Sequence, residues 1–252
     1  MDAGIVTGYE VRFDFPHRVA APELPYLLAS VPRSGSTYVS HLLWRTGCLG
    51  APLEYLNFEP EGPYCKAHGD PARQSAIWRE ALYRRTSPNG VFGLKAFPLQ
   101  LESLQQENPQ LVAEVMRLML AGGRGSKVVQ LRRRDRDAHA ISYARALLSG
   151  VWRKEQETGG SDEPEYSGQA VENALRLIED QESAWESMYR DLGLMPLVLW
   201  FEDVLEDPRA ATSSVADYIG AAIDPADIVE VPKIDRQSQK GAKAWAEAHA
   251  KG

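Results

Sequence analysis

With 252 residues, 44% of them hydrophobic and 25% charged, the chain is long and apolar enough to bury one sizeable core, and one domain over residues 1–252 is the expectation. A formal net charge of −7 excludes a surface built for nucleic acid or an anionic membrane, so an anion site has to be a local concentration of Arg and Lys. Only Cys48 and Cys65 occur, at no metal-ligand spacing; with no apolar run near the ~20 residues that cross a bilayer and no signal pattern after Met1, the cytosol is the expected compartment.

In chain order, residues 1–25 mix charges with aromatic and proline positions and predict an extended arm that packs loosely or touches a partner. Leu27, Leu28 and Ala29 suit a buried parallel strand, and Tyr38, Leu42 and Leu43 recur at helical spacing, so Pro32-Arg33-Ser34-Gly35-Ser36-Thr37 is a loop at a helix N-terminus. Free N–H groups and the helix dipole suit such a loop to phosphate, Gly35 allows close backbone approach, and Ser34, Ser36 and Thr37 add hydroxyl donors. A plain serine-capped turn would use the same residue types. Aligned on a nucleotide triphosphatase loop, Ser36 stands where the lysine belongs; a kinase using ATP is disfavoured, while Arg33 offers a fork for phosphate or sulfate.

Gly47 and Gly50 end the helical pattern, Pro52 makes Ala51 to Leu56 extended, and Asn57 to Asp70 reads as a loop over one end of the sheet. A helix over Pro71 to Arg85 and a turn at Ser87 to Gly90 lead into a strand, Val91 to Phe97. Lys95 lies near the C-terminal end of that strand, the edge where parallel sheets bind ligands. Leu99 to Leu120 predicts one helix, Lys127 to Leu131 a third strand, and Arg132 to Arg136 a cationic cluster at the same edge. Ser142 is on the following helix, able to face the arginines. Glu155 to Gly168 is a breaker-rich loop or lid, Val171 to Leu192 a long amphipathic helix, Pro196 to Phe201 a strand and Ala210 to Ile219 a helix. The tail over residues 233–252 is basic, with few apolar residues.

Strands alternating with helices, and anion-binding residue types at strand ends, predict a three-layer α/β fold with a mostly parallel central sheet and a P-loop-like loop. Pro32 to Thr37, then Thr46 to Tyr55, Asn89 to Lys95, and Arg133 through Trp152, resemble in order the bacterial trehalose 2-sulfotransferase-like family. The resemblance implies a sulfotransferase that uses 3′-phosphoadenosine 5′-phosphosulfate (PAPS) as co-substrate, needs no metal and acts on a hydroxyl of a carbohydrate, glycolipid or related small natural product. Nucleic acid is not an expected partner, and the resemblance leaves room for a homodimer.

By that resemblance Arg33, Ser34, Gly35, Ser36 and Thr37 take the donor's phosphosulfate, Arg133 and Ser142 its 3′-phosphate, and Trp152 lines a pocket. Arg33 and Lys95 suit the charge on the leaving phosphate. The chain departs from the family at Ala51, where a glutamate precedes the proline. Glu54 is the nearest remaining carboxylate and the candidate base, with His68 second; His41 and His139 are weaker rivals. A protein that keeps the nucleotide pocket but only binds or regulates is the alternative.

Overall fold

Short runs of apolar, partly β-branched residues form the sheet of this computed structural model, which describes residues 6–152, 163–233 and 239–251. The strands are β1 (Leu24–Ala29), β2 (Val91–Ala96), β3 (Lys127–Arg132) and β4 (Leu197–Trp200). They pair in parallel, in the order β2-β1-β3-β4. Parallel neighbours need crossover connections, and helices supply them. Helices α1 (Ser36–Trp44) and α2 (Pro71–Arg84) link β1 to β2, α3 (Pro98–Glu107) and α4 (Pro109–Leu120) link β2 to β3, and α5 (Arg136–Ser149) and α6 (Gly168–Leu192) link β3 to β4. Helices α7 (Phe201–Glu206), α8 (Pro208–Ile219) and α9 (Gln239–His249) follow.

Side chains alternate across each strand, so β1 feeds two cores. Leu27 and Ala29 pack with Leu94, Val128, Leu111, Val115 and Trp185, while Tyr26 and Leu28 pack with Val129, Leu131, Val39, Leu43, Val215 and Ile219. Helices thus cover both faces, giving the three-layer α/β architecture expected from the sequence. The chain leaves β1 to one side for β2 and crosses to the other side for β3. The C-terminal ends of β1 and β3 therefore flank a topological switch point, where ligands bind in sheets of this kind.

Two expectations change, and a tail with no assigned element gains one. The helix read as one over Leu99 to Leu120 is two, because Pro109 lacks an N–H and disfavours helical backbone at Asn108, whose Oδ1 instead accepts the Leu111 N–H at 3.1 Å. The described part of the N-terminal arm is held rather than loose between Gly8 and Asp14: the buried Arg85 guanidinium donates to the carbonyls of Gly8, Glu10 and Phe13 and pairs with Asp14 at 2.9 Å. The tail forms α9, which buries Trp245, and the Trp245 indole donates to the Pro164 carbonyl. Of the segment read as a lid, residues through Asp162 lie outside those described; Glu163 pairs with Arg145, and Ser167 caps α6. No described helix is long and apolar enough to cross a membrane.

Candidate active site

The loop after β1 is built by its carbonyls. Those of Ser30, Val31, Pro32, Arg33 and Gly35 accept from Trp185 Nε1 (2.9 Å), Ser34 N (3.2 Å), His139 Nε2 (2.8 Å), Arg133 Nη1 (3.4 Å) and Val39 N (3.2 Å) respectively. Arg33 is left-handed at φ 69°, the one non-glycine residue with positive φ among those described. Gly35, at φ 91°, leaves α1 to begin directly behind it, and the Phe201 ring occupies the space that a Cβ at Gly35 would need. Ser34 and Ser36 are buried, and Ser34 Oγ has no hydrogen-bond partner among the described residues.

A buried acid and a buried base meet at the far end of this loop. Leu53 bridges Leu94 in parallel, and its carbonyl accepts the Lys95 N–H at 3.1 Å, so the next residue, Glu54, falls beside the Lys95 side chain. Lys95 Nζ lies 2.9 Å from Glu54 Oε1 and donates to Thr37 Oγ1 at 3.3 Å, with Lys95 1% and Glu54 8% exposed. Asn57 Nδ2 (2.7 Å) and Gln100 Nε2 (2.9 Å) both donate to Glu54 Oε2, and the Glu54 N–H donates to the Tyr9 hydroxyl at 3.1 Å. Burying an ammonium or a carboxylate alone is costly, and the pairing offsets that cost.

Of the arginines at and after the end of β3, most are committed to acids. Arg132 pairs with Glu182 (2.9 Å) and Glu186 (3.1 Å), Arg136 with Glu182 (2.8 Å), and Arg134 with both carboxylate oxygens of Asp203. Arg133 differs. Its guanidinium lies 5.7 Å from the Phe201 ring centroid, Nε is buried without a hydrogen-bond partner among the described residues, and Glu202 Oε1, at 4.0 Å, is too far for one. Burial pushes the guanidinium below its ordinary value against the pull of Asp135 and Glu202. Arg33 Nε donates to Ser142 Oγ at 3.1 Å, and Arg33 Nη1 donates to the Trp152 carbonyl, so Arg33, Arg133, Ser142 and Trp152 share one neighbourhood.

Buried donors with no acceptor cost roughly 1–3 kcal/mol each unless something meets them. Ser34 Oγ, in the loop, and Arg133 Nε, whose guanidinium reaches the loop through the Arg33 carbonyl, are such atoms, and phosphate or sulfate oxygens suit them. The residues present therefore fit an anionic donor. Among the described residues no group of three His, Cys, Asp or Glu side chains could hold a metal ion.

The model of the Stf0 sulphotransferase family matches residues 25–251. The chain belongs to this family. Among its relatives, the trehalose 2-sulfotransferase of Mycobacterium tuberculosis is 28% identical over 256 residues, covering 89% of this chain and 94% of the relative. That of Mycolicibacterium smegmatis is 23% identical over 253 residues, covering 89% and 93%. A mouse sulfotransferase crystallised with PAP has a TM-score of 0.45 and 13% identity, covering 94% of this chain and 67% of that one.

Within this Stf0 sulphotransferase, the structure gathers Arg33 to Thr37, Glu54, Lys95, Arg133, Ser142 and Trp152 around the C-terminal edge of the sheet. His68 is half exposed, with Nδ1 3.2 Å from Glu107 Oε1. His41 Nδ1 lies 3.1 Å from the Pro232 carbonyl. His139 is fully buried and, chiefly through burial, its pKa falls to about 4, which suits it to packing rather than proton transfer near neutral pH. Ala51 is buried in an apolar cluster with Leu53, Tyr55 and Phe92, and its carbonyl accepts from the Tyr55 hydroxyl. Sequence reasoning missed Trp185, Phe201, Asn57 and Gln100. Asn57 lies three residues after Glu54, a weak local signal; the other three arrive through tertiary packing, and nothing near them in sequence announces it.

Proposed function

We propose that this Stf0 sulphotransferase moves a sulfuryl group from PAPS to a hydroxyl of a carbohydrate or glycolipid. In this reaction the bond from sulfur to the bridging phosphate oxygen breaks as one forms to the acceptor oxygen, the acceptor proton is taken up, and 3′-phosphoadenosine 5′-phosphate (PAP) leaves. The observation that carries the reading is the buried pair of Lys95 and Glu54 with the half-buried Thr37, a cation with a carboxylate at 2.9 Å and a hydroxyl at 3.3 Å from its Nζ, beside a loop with a buried unmet donor.

Each residue then has a distinct task. Lys95, the loop N–H groups and the hydroxyls of Ser34, Ser36 and Thr37 stabilise the charge that grows on the leaving phosphate, a form of electrostatic stabilisation that is strong in a site shielded from water. Glu54 accepts the acceptor's proton, oriented by Lys95, Asn57 and Gln100. Arg133 and Ser142 hold the 3′-phosphate, with Arg33 between them and the reacting group, and Trp152 lines the pocket. His68 is the second residue to test as base. Residue types at these positions support the scheme, and no step in it requires a metal.

The relatives' names support a sugar acceptor, and trehalose is the first to assay. Two cysteines without a disulfide, Cys48 buried and Cys65 exposed, are consistent with a reducing compartment such as the cytosol. The test is transfer of label from PAPS carrying radioactive sulfur to trehalose, other sugars, glycolipids, phenols and amines. A labelled sugar is the expected product. Label only on phenols or amines would overturn the carbohydrate acceptor, and no label on any acceptor would overturn the enzymatic reading.

A further inference from the structure

We propose that Trp185 and His139, which touch neither reacting group, are positioning residues of the donor loop, holding the carbonyls of Ser30 and Pro32 so that the N–H groups beyond them face the anion. The inference rests on the reading of the loop as the phosphosulfate site. A trans peptide is planar, so its C=O and the following N–H point in opposite directions. Tying a carbonyl to one side aims the next N–H to the other.

Trp185 reaches the loop from α6 and His139 from the first turn of α5. Both are buried, at 2% and 0% exposed, and each has a ring N–H at 2.8–2.9 Å from its carbonyl, which only accepts. Through Ser30, Trp185 fixes where the chain leaves β1. Through Pro32, His139 fixes the peptide whose N–H belongs to Arg33. The left-handed backbone of Arg33 is unfavourable for a long side chain, and it persists where the surroundings over-determine it. Here the peptide before Arg33 is held by His139, and the one after it by Arg133.

Loop carbonyls allowed to turn would present negative dipoles to an anion already carrying several charges. The geometry therefore predicts a loss of donor affinity in variants that keep the packing but lose an N–H. In Trp185→Phe an aromatic ring remains, smaller than the indole, and the donor is gone. In His139→Leu the volume is roughly kept and the donor is gone, while His139→Gln restores an amide N–H.

The test is calorimetric titration of PAP into each full-length variant, with thermal melts to fix the folded fraction and steady-state KM for donor and acceptor. Trp185→Phe and His139→Leu should raise the Kd for PAP about tenfold, the usual scale for a lost hydrogen bond in a charged site. The donor KM should rise with it while the acceptor KM stays within about twofold, and His139→Gln should lie near wild type. Variants that melt earlier yet bind PAP as wild type does, per folded molecule, would overturn the inference alone. So would a His139→Gln variant as weak as His139→Leu. Wild type that fails to bind PAP would overturn the donor reading, and this inference with it.

Discussion

Glu54 carries the sharpest prediction at the scale of single residues, since its carboxylate meets Lys95, Asn57 and Gln100 at once. Glu54→Gln keeps the shape and removes the charge, so kcat should fall by ~10²–10⁴ with the Kd for PAP nearly unchanged. Full activity in Glu54→Gln together with a dead His68→Ala would move the base to His68. Arg133 belongs to the other end of the donor: Arg133→Ala should reduce the preference for PAP over AMP by at least about tenfold, and equal calorimetric affinity of the wild type for the two nucleotides would remove the 3′-phosphate site. His139 adds a pH dependence. Its folded pKa of about 4 lies below the 6.5 expected of an unfolded histidine, so between those values the unfolded chain binds more protons. Stability is full above about pH 6.5 and is lost as pH falls towards 4, by on the order of 3 kcal/mol. Urea midpoints of wild type should drop across this window more steeply than those of His139→Gln.

At the scale of elements, the start of α1 is fixed by a residue from α7. The Phe201 ring fills the space beside Gly35, so Gly35→Ala adds a steric conflict to the strain of a positive φ. Donor binding should be lost in Gly35→Ala and partly recovered in the double variant Gly35→Ala/Phe201→Ala, since only the steric part is relieved; no recovery on calorimetric titration would mean that backbone strain alone decides. The C-terminal helix matters for the same loop. Trp245 of α9 packs in one cluster with Val31, Ile141, Tyr143 and Ile178, joining the tail to the chain just before Pro32. Trp245→Ala should cost about 3–5 kcal/mol in denaturant unfolding, the range for truncating a buried tryptophan.

For the whole molecule, charge is the property to test. A cluster of arginines resembles a nucleic-acid patch, yet Glu182, Glu186 and Asp203 neutralise Arg132, Arg134 and Arg136, and the net charge is −7. Fluorescence anisotropy should detect no binding to labelled DNA or RNA at physiological salt. Binding that weakens steeply with salt would show that the pairs open and the patch is real.

What the sequence determined by itself was everything local and periodic: the apolar runs of β1 to β4, the Pro32 to Thr37 loop lacking a lysine, Lys95 near a strand end, and the helices on either side. Such features depend on side-chain spacing and on the φ preferences of glycine and proline, which act within a few residues. The sequence reads through the break at Asn108 as one helix, although its cause, the proline after it, is local. By residue type Arg132, Arg133, Arg134 and Arg136 are alike, and only the family resemblance singled out Arg133; the tertiary structure supplied the physical difference, since α6 and α7 bring close acids to the other three and leave Glu202 at 4.0 Å from Arg133. It likewise decided that Glu54 lies against Lys95, through the backbone pairing of Leu53 with β2, and that α5 and α6 tie the loop carbonyls. Contacts between residues more than a hundred positions apart, such as Arg33 with Ser142 and Ser30 with Trp185, follow from chain topology and core packing, which no local pattern encodes.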